Sequence, residues 1–267
     1  MRLHIATHDK IFHADEVTAV ALLRVFTKDE IVVSRVPHNI KDFSSYDMVI
    51  DIGREFDGKK YFDHHQNRGG KSSAGLIWDY LNLGENYSKI SKLIKLVDDN
   101  DVGIAKAKPF EYSNLIKCFN NSEDIYGSVQ DKQFEKAVLF AMTVLDSMKN
   151  MQNSVAEAKT IVTSSFTFDN NPAILELSRF NPHWSTYING ETMPNIKAVV
   201  WEDEHDKSWK VQIPPKRVGS FELQAEALKQ DSSMEFVHSS GYFAVAKSEE
   251  IMKKFLAKML NNTIREK

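Results

Sequence analysis

Residues 2–26 read RLHIATHDKIFHADEVTAVALLRVF, and this stretch decides the architecture. Its first seven residues alternate apolar and polar side chains, with Leu3, Ile5 and Thr7 on one face, as a strand does. Residues 14–26 then place Val17, Ala21 and Val25 at helical spacing, with Leu22 beside them. Further on, residues 31–36 and 48–52 are short β-branched runs suited to buried strands, and 60–62 is another. Residues 73–81 and 87–97 read as helices. Strand and helix in this alternation predict an α/β fold with a mostly parallel sheet covered on both faces.

The second half has a different texture. Residues 128–171 contain neither Gly nor Pro, and Phe134, Val138, Ala141, Leu145, Met148, Met151, Val155, Ala158 and Val162 recur every three or four positions. That spacing predicts one long amphipathic helix or two nearly continuous ones, stopped by Asp169-Asn170-Asn171-Pro172. Strand-like runs follow at 173–177, 196–201, 209–213, 235–238 and 242–246, and residues 248–264 close the chain as a helix. The expected division is a metal-binding catalytic domain over 1–127, a helical connector over 128–171, and a smaller mixed α/β substrate-binding domain over 172–267.

The composition excludes several classes. The 267 residues carry a net charge of −3, with 42% hydrophobic and 27% charged residues, as ordinary globular proteins do. A near-neutral balance excludes a broadly basic protein held to nucleic acid by charge alone. The best apolar run, 137–145, is about half of what a membrane helix needs, so no membrane partner is expected. Neither a signal-peptide core nor a transit-peptide composition opens the sequence. Cys118 is the single cysteine, which fits a reducing compartment, and the expected location is cytoplasmic.

Four acid and histidine clusters carry the chemistry. They are residues 7–16 (THDKIFHADE), 49–53 (VIDIG), 63–68 (DHHQNR) and 97–103 (VDDNDVG). Six of the nine histidines lie within the first 65 residues, interleaved with Asp9, Asp15, Asp51 and Asp63. Three clusters directly follow an inferred strand, and ligands of an open parallel sheet bind outside the carboxyl ends of its strands. The fourth sits at a helix end, where carboxylates oppose the dipole and repel one another. A divalent cation offsets both costs. His with Asp and without Cys suits Mn²⁺, Mg²⁺, Zn²⁺ or Fe²⁺ and disfavours a thiolate zinc site. The candidates outnumber the ligands of one ion, so two ions sharing a carboxylate is the economical reading. Such pairs are typical of phosphoryl-transfer hydrolysis, where one ion activates water and both stabilise charged oxygens. His4, His38, His183 and His205 read instead as hydrogen-bonded core residues, Glu16 as the acidic start of a helix, and Asp9 and Asp99 as solvated neighbours.

Asp63-His64-His65, preceded by a strand-end Asp51, resembles the DHH phosphoesterase superfamily. Taken together, THDKIFHADE, VIDIG, FDHHQNR, SSAGLIWDYL, VDDNDVG and FVHSSGYF resemble the melanocyte-proliferating-gene exonuclease family over nearly the whole chain. Four features depart from that pattern. Lys10 and Arg54 stand where Gly is common, the region between residues 223 and 236 is shorter, and the closing GYFAV lacks a Gly-Gly. The resemblance implies a DHH-type sheet domain, with the active site in the cleft against the smaller domain.

It also implies site residues. His8, His13 and Asp51 would hold one ion, and Asp15, Asp51, His64 and Asp98 the second, with Asp51 bridging. Asp98 and Asp101 remain alternatives for the fourth cluster, Asp98 being favoured. His65 would face the scissile phosphate, and Asp63 would orient a histidine ring. Arg68, Lys216, Arg217, His238 and Gly241 are the candidate substrate contacts. The implied activity is a metal-dependent phosphodiesterase, a 3′→5′ exonuclease on RNA or short oligonucleotides, using two divalent cations with Mn²⁺ foremost and Mg²⁺ or Zn²⁺ as alternatives. Competing readings are a pyrophosphatase or small-nucleotide phosphatase with the same metals, and a non-catalytic module binding RNA or protein, which would have lost ligands.

Overall fold

A computed structural model describes residues 1–66, 70–121, 123–215, 233–239 and 241–263. The chain divides into two compact units, Met1–Gln152 and Asn153–Lys267. The first opens with β1 (Arg2–His8), α1 (Ala14–Phe26), β2 (Glu30–Val36), β3 (Met48–Ile50) and β4 (Tyr61–Phe62). It continues with α2 (Ser73–Leu81), α3 (Ser88–Asp101), α4 (Tyr112–Lys117) and most of α5 (Gly127–Thr163). Its sheet has the order β2-β1-β3-β4, and every pair is parallel. The expected α/β class with a mostly parallel sheet is thus what forms. Because β1 and β3 are neighbours, His8 at the end of β1 and Asp51 just past β3 leave the same edge of the sheet, and Asp63 leaves it just past β4.

Helix α1 is buried all round from Ala14 to Leu23, not along one stripe. Its residues after Glu16 are almost wholly apolar, as a helix packed on several sides requires. Phe134, Ala137, Val138, Ala141 and Leu145 of α5 complete the same core, and Phe12 meets Phe134 edge-to-face at 5.5 Å.

The second unit contains β5 (Phe166–Thr167), β6 (Ile174–Glu176), β7 (Ala198–Glu202), β8 (Trp209–Gln212), β9 (Met234–Val237), β10 (Phe243–Ala246) and α6 (Glu249–Thr263). These strands form a mixed sheet of order β5-β6-β7-β8-β10-β9, in which only β6 and β7 run parallel. Alternate residues of β7 face two different cores, as a period of two demands. Ala198 and Val200 pack with Met252, Phe255 and Leu256 of α6, whereas Val199 and Trp201 pack with Ile161, Val162 and Trp184.

The structure departs from the sequence expectation in four places. Helix α5 ends at Thr163, short of Asn171, because Ser164 and Ser165 donate their hydroxyls to the carbonyls of Ile161 and Val162. Those bonds satisfy helix-end acceptors and turn the chain into β5. Helix α3 runs on through Asp101, and α4 was not anticipated. Finally, His38 and His205 are exposed rather than buried in a core.

Candidate metal centre

The site is built where three strand ends meet the start of α1. Nδ1 of His8 donates to the Asp9 carbonyl at 2.8 Å, which fixes the tautomer. Its Nε2 then lies 3.1 Å from Glu16 Oε1 and 3.3 Å from Asp51 Oδ2. The other Asp51 oxygen, Oδ1, lies 3.3 Å from His64 Nε2 and accepts a hydrogen bond from Ser73 Oγ at 3.2 Å. Asp51 therefore presents one oxygen to each half of the cluster. Its backbone is left-handed at φ 57°, an uncommon and costly conformation for a residue with a Cβ and one that concentrates at functional sites.

Asp15 is the most telling residue. It is 0% exposed, and neither carboxylate oxygen has a hydrogen-bond partner among the described residues. Its closest basic neighbour, His64 Nε2, stands 3.7 Å away. Buried polar groups in native proteins almost always find partners, so an orphaned carboxylate marks a place for a cation. Burial raises its pKa, and the charges of Asp51, Glu16 and Asp101 raise it further.

The rest of the centre shows the same excess of negative charge. Burial opposes protonation of His8, yet Asp51 and Glu16 overcome it and lift the ring to about 11. His64 is lifted against its own burial to about 10 by Asp101 and Asp51. Asp51 is held below the usual carboxylate range, because hydrogen bonds from His64 and His8 outweigh its burial. Three carboxylates, Asp51, Glu16 and Asp101, thus draw protons onto two imidazoles, and hard divalent cations at the same place would satisfy the carboxylates and both rings at once.

Three groups bring ligand atoms within 4.8 Å of one another: His8, His13, Glu16 and Asp51; Asp51, His64 and His65; and His13, Asp15 and Asp101. These contain the sequence candidates His8, His13, Asp15, Asp51, His64 and Asp101. Asp98, the alternative favoured from sequence, stands apart from these groups. Its Oδ1 accepts from Ser72 N at 3.0 Å and Ser72 Oγ at 2.7 Å, and it lies against Gly75 of α2, whereas Asp101 Oδ2 comes within 3.0 Å of His64. The extra turn of α3 is what carries Asp101 to that position.

Asp63 and His65 form a separate couple. Asp63 Oδ1 accepts from His65 Nδ1 at 2.7 Å, and its Oδ2 accepts from Arg54 N at 2.7 Å. His65 remains 53% exposed, so its Nε2 is open to a ligand. The Asp63 hydrogen bond raises the His65 pKa, and the reciprocal bond lowers that of Asp63 despite its burial.

Sequence reading missed Glu16 as a member of this cluster. Both its oxygens accept from His13 N, at 2.9 and 3.0 Å, so it starts the helix as expected and also faces His8. The supports of the 9–13 loop were also not foreseen. Asn120 accepts from Phe12 N at 3.0 Å and donates to Phe12 O at 2.9 Å. Lys10 O accepts from Arg35 Nη2 at 2.6 Å and from Gln130 Nε2 at 3.0 Å. These partners lie 25 to 120 residues away in sequence, and no local pattern announces them. Arg68, Lys216 and Arg217 lie outside the described residues. His238 and Gly241 form the turn between β9 and β10, where Gly241 N donates to His238 O at 2.8 Å and takes φ 71°.

Comparison with known proteins agrees with the motif pattern. The family model MYG1_exonuc, described as Uncharacterised protein family (UPF0160), matches residues 4–260. The MYG1 protein YER156C of Saccharomyces cerevisiae is 28% identical over 97% of this chain and 96% of its own length. The MYG1 exonuclease of Bos taurus is 27% identical over 92% of this chain and 81% of its own. Among solved structures, the pGpG-specific phosphodiesterase PggH from Vibrio cholerae aligns over 97% of this chain and 99% of that chain, at 10% identity and a TM-score of 0.36. No described helix is long and apolar enough to cross a membrane.

Proposed function

The chain belongs to the MYG1_exonuc family, Uncharacterised protein family UPF0160, and from that membership we propose that it is a metal-dependent phosphodiesterase. The activity is exonucleolytic, 3′→5′, on RNA or short oligonucleotides, with two divalent cations and Mn²⁺ foremost. The name of the Bos taurus relative, an exonuclease, supports this reading. The observation that carries it is the fully buried, unpartnered Asp15 carboxylate among Asp51, Glu16 and Asp101, flanked by His8 and His64.

In this reading His8, His13, Glu16 and Asp51 hold one cation, and Asp15, Asp51, His64 and Asp101 the other. Bound divalent cations supply charge neutralisation at phosphate oxygens and a lowered pKa for water. The chain's own residues do the remainder. Asp9 O keeps the proton of His8 on Nδ1, so that Nε2 is the donor atom. Asp51 faces both halves of the centre with separate oxygens. Asp63 holds His65 through Nδ1 and favours its protonated form, so that Nε2 can give a hydrogen bond to the substrate phosphate.

The test is metal analysis of the purified protein, followed by end-labelled RNA in Mn²⁺ and in EDTA with pyrophosphate as a parallel substrate. Stepwise shortening from the 3′ end in Mn²⁺ and none in EDTA is the expected result. Pyrophosphate cleavage with intact RNA would overturn the nuclease reading, and absence of bound metal would overturn the centre itself.

A further inference from the structure

Adjoining the metal centre is a cavity of about 650 Å³ formed by residues of the first unit. That volume falls within the roughly 300–1,000 Å³ typical of small-molecule sites. Its lining joins Asp51, Asp63 and His65 to three basic residues that the centre does not use, His38, Lys41 and Arg54. His38 stacks on His8, with ring centroids 4.8 Å apart and planes 16° from parallel, so the wall continues into the ligand set. Ile40, Ile52 and Tyr61 supply apolar surface, and Glu55 supplies a carboxylate.

Two features of the basic side of this wall suit an anion. Lys41 and Arg54 are exposed, and neither side chain has an ion pair or hydrogen bond among the described residues, whereas Arg35 and Lys60 of the same unit are engaged. Arg54 also holds a left-handed backbone at φ 54°, a conformation that favours Gly, with its N–H fixed to Asp63 Oδ2. A side chain kept at such a position, in the strand-end loop that supports the Asp63–His65 couple, sets a guanidinium fork beside the place of reaction.

We propose that this cavity is a nucleotide subsite, in which Lys41 and Arg54 hold a phosphate next to the scissile one and Glu55 accepts from a ribose hydroxyl. The substrate class is then an oligonucleotide with a phosphate on the 5′ side of the nucleotide that enters the cavity, internal in a long strand and terminal in a 5′-phosphorylated dinucleotide. The link to turnover rests on the phosphodiesterase reading above, whereas the binding site stands on the cavity alone.

Calorimetric binding of AMP and of adenosine to the Mn²⁺-loaded protein tests the site directly. Arg54→Gly relieves the backbone and Lys41→Ala leaves an exposed position, so both variants should keep the wild-type melting temperature and metal content. Each should weaken AMP about tenfold, the loss expected for one charge-assisted phosphate contact, and leave adenosine unaffected. AMP binding unchanged in the double variant, or absent from the wild type, overturns the subsite. In parallel, the ratio of kcat/KM for a 5′-phosphorylated dinucleotide to that for its unphosphorylated form should fall towards one in the double variant. A wild type that binds AMP through these residues but cleaves neither dinucleotide would refute the phosphodiesterase reading and retain the subsite. Cleavage with an unchanged ratio would do the reverse.

Discussion

Asp15→Asn should stabilise the metal-free protein while weakening its response to metal. Asp15 is fully buried, its two oxygens lack hydrogen-bond partners, and Asp51, Glu16 and Asp101 surround it with like charge. A buried unsatisfied polar group costs about 1–3 kcal/mol, and more when charged. The amide is nearly isosteric, cannot ionise, and offers two N–H donors to those carboxylates. A gain of about 2 kcal/mol is therefore expected without metal. At about 2–4 °C per kcal/mol for a protein of this size, the melting temperature should rise by about 4–8 °C. With Mn²⁺ the order reverses. A cation at a hundredfold its Kd adds about 2.7 kcal/mol to the wild type, and the variant, lacking an anionic ligand, should gain less than half of that. Differential scanning calorimetry in EDTA and across a Mn²⁺ series reads both arms. A variant that melts lower in EDTA, or gains as much from Mn²⁺ as the wild type, would refute the assignment of Asp15 as a cation ligand.

Three further outcomes follow from the same geometry. Asp51→Asn should abolish hydrolysis and deplete both metals, since one carboxylate faces both halves of the centre; two fully occupied sites by elemental analysis would remove its bridging role. His64→Ala should lose metal, whereas His65→Ala should lower kcat with metal retained, because Asp63 already claims His65 Nδ1; equal metal loss in the two variants would contradict this division. Gly75→Ala would ordinarily gain about 1 kcal/mol inside a helix. Here the new Cβ would collide with both Asp98 oxygens and lie 2.8 Å from Cγ, so a net loss of about 1–3 kcal/mol in urea unfolding is expected, and an unchanged midpoint would refute the packing.

Several features of the fold were legible because their causes are local. The alternation of residues 2–8, the apolar run of α1 and the short β-branched strands each bury side chains at a period that sequence displays. The three strand-end clusters could be placed on one edge because parallel strands all end on the same side. By contrast, the end of α5 depended on hydroxyls competing for helix carbonyls, and the exposure of His38 depended on a loop whose path no periodicity specifies.

Residue types and their order, then, determined on their own the α/β class, the family pattern and the pool of His and Asp from which a metal centre could be drawn. Tertiary structure decided which members of that pool meet. Asp98 and Asp101 are three residues apart on one helix, yet Ser72 and Gly75 take the first while His64 receives the second. Glu16 serves as a helix start by sequence and joins His8 only because β1 delivers that ring over the first turn of α1. The physical reason is common to both. A side chain's chemistry is carried by its type, but the atoms within about 3 Å of it belong to segments folded in from elsewhere, and only the packed chain brings them there.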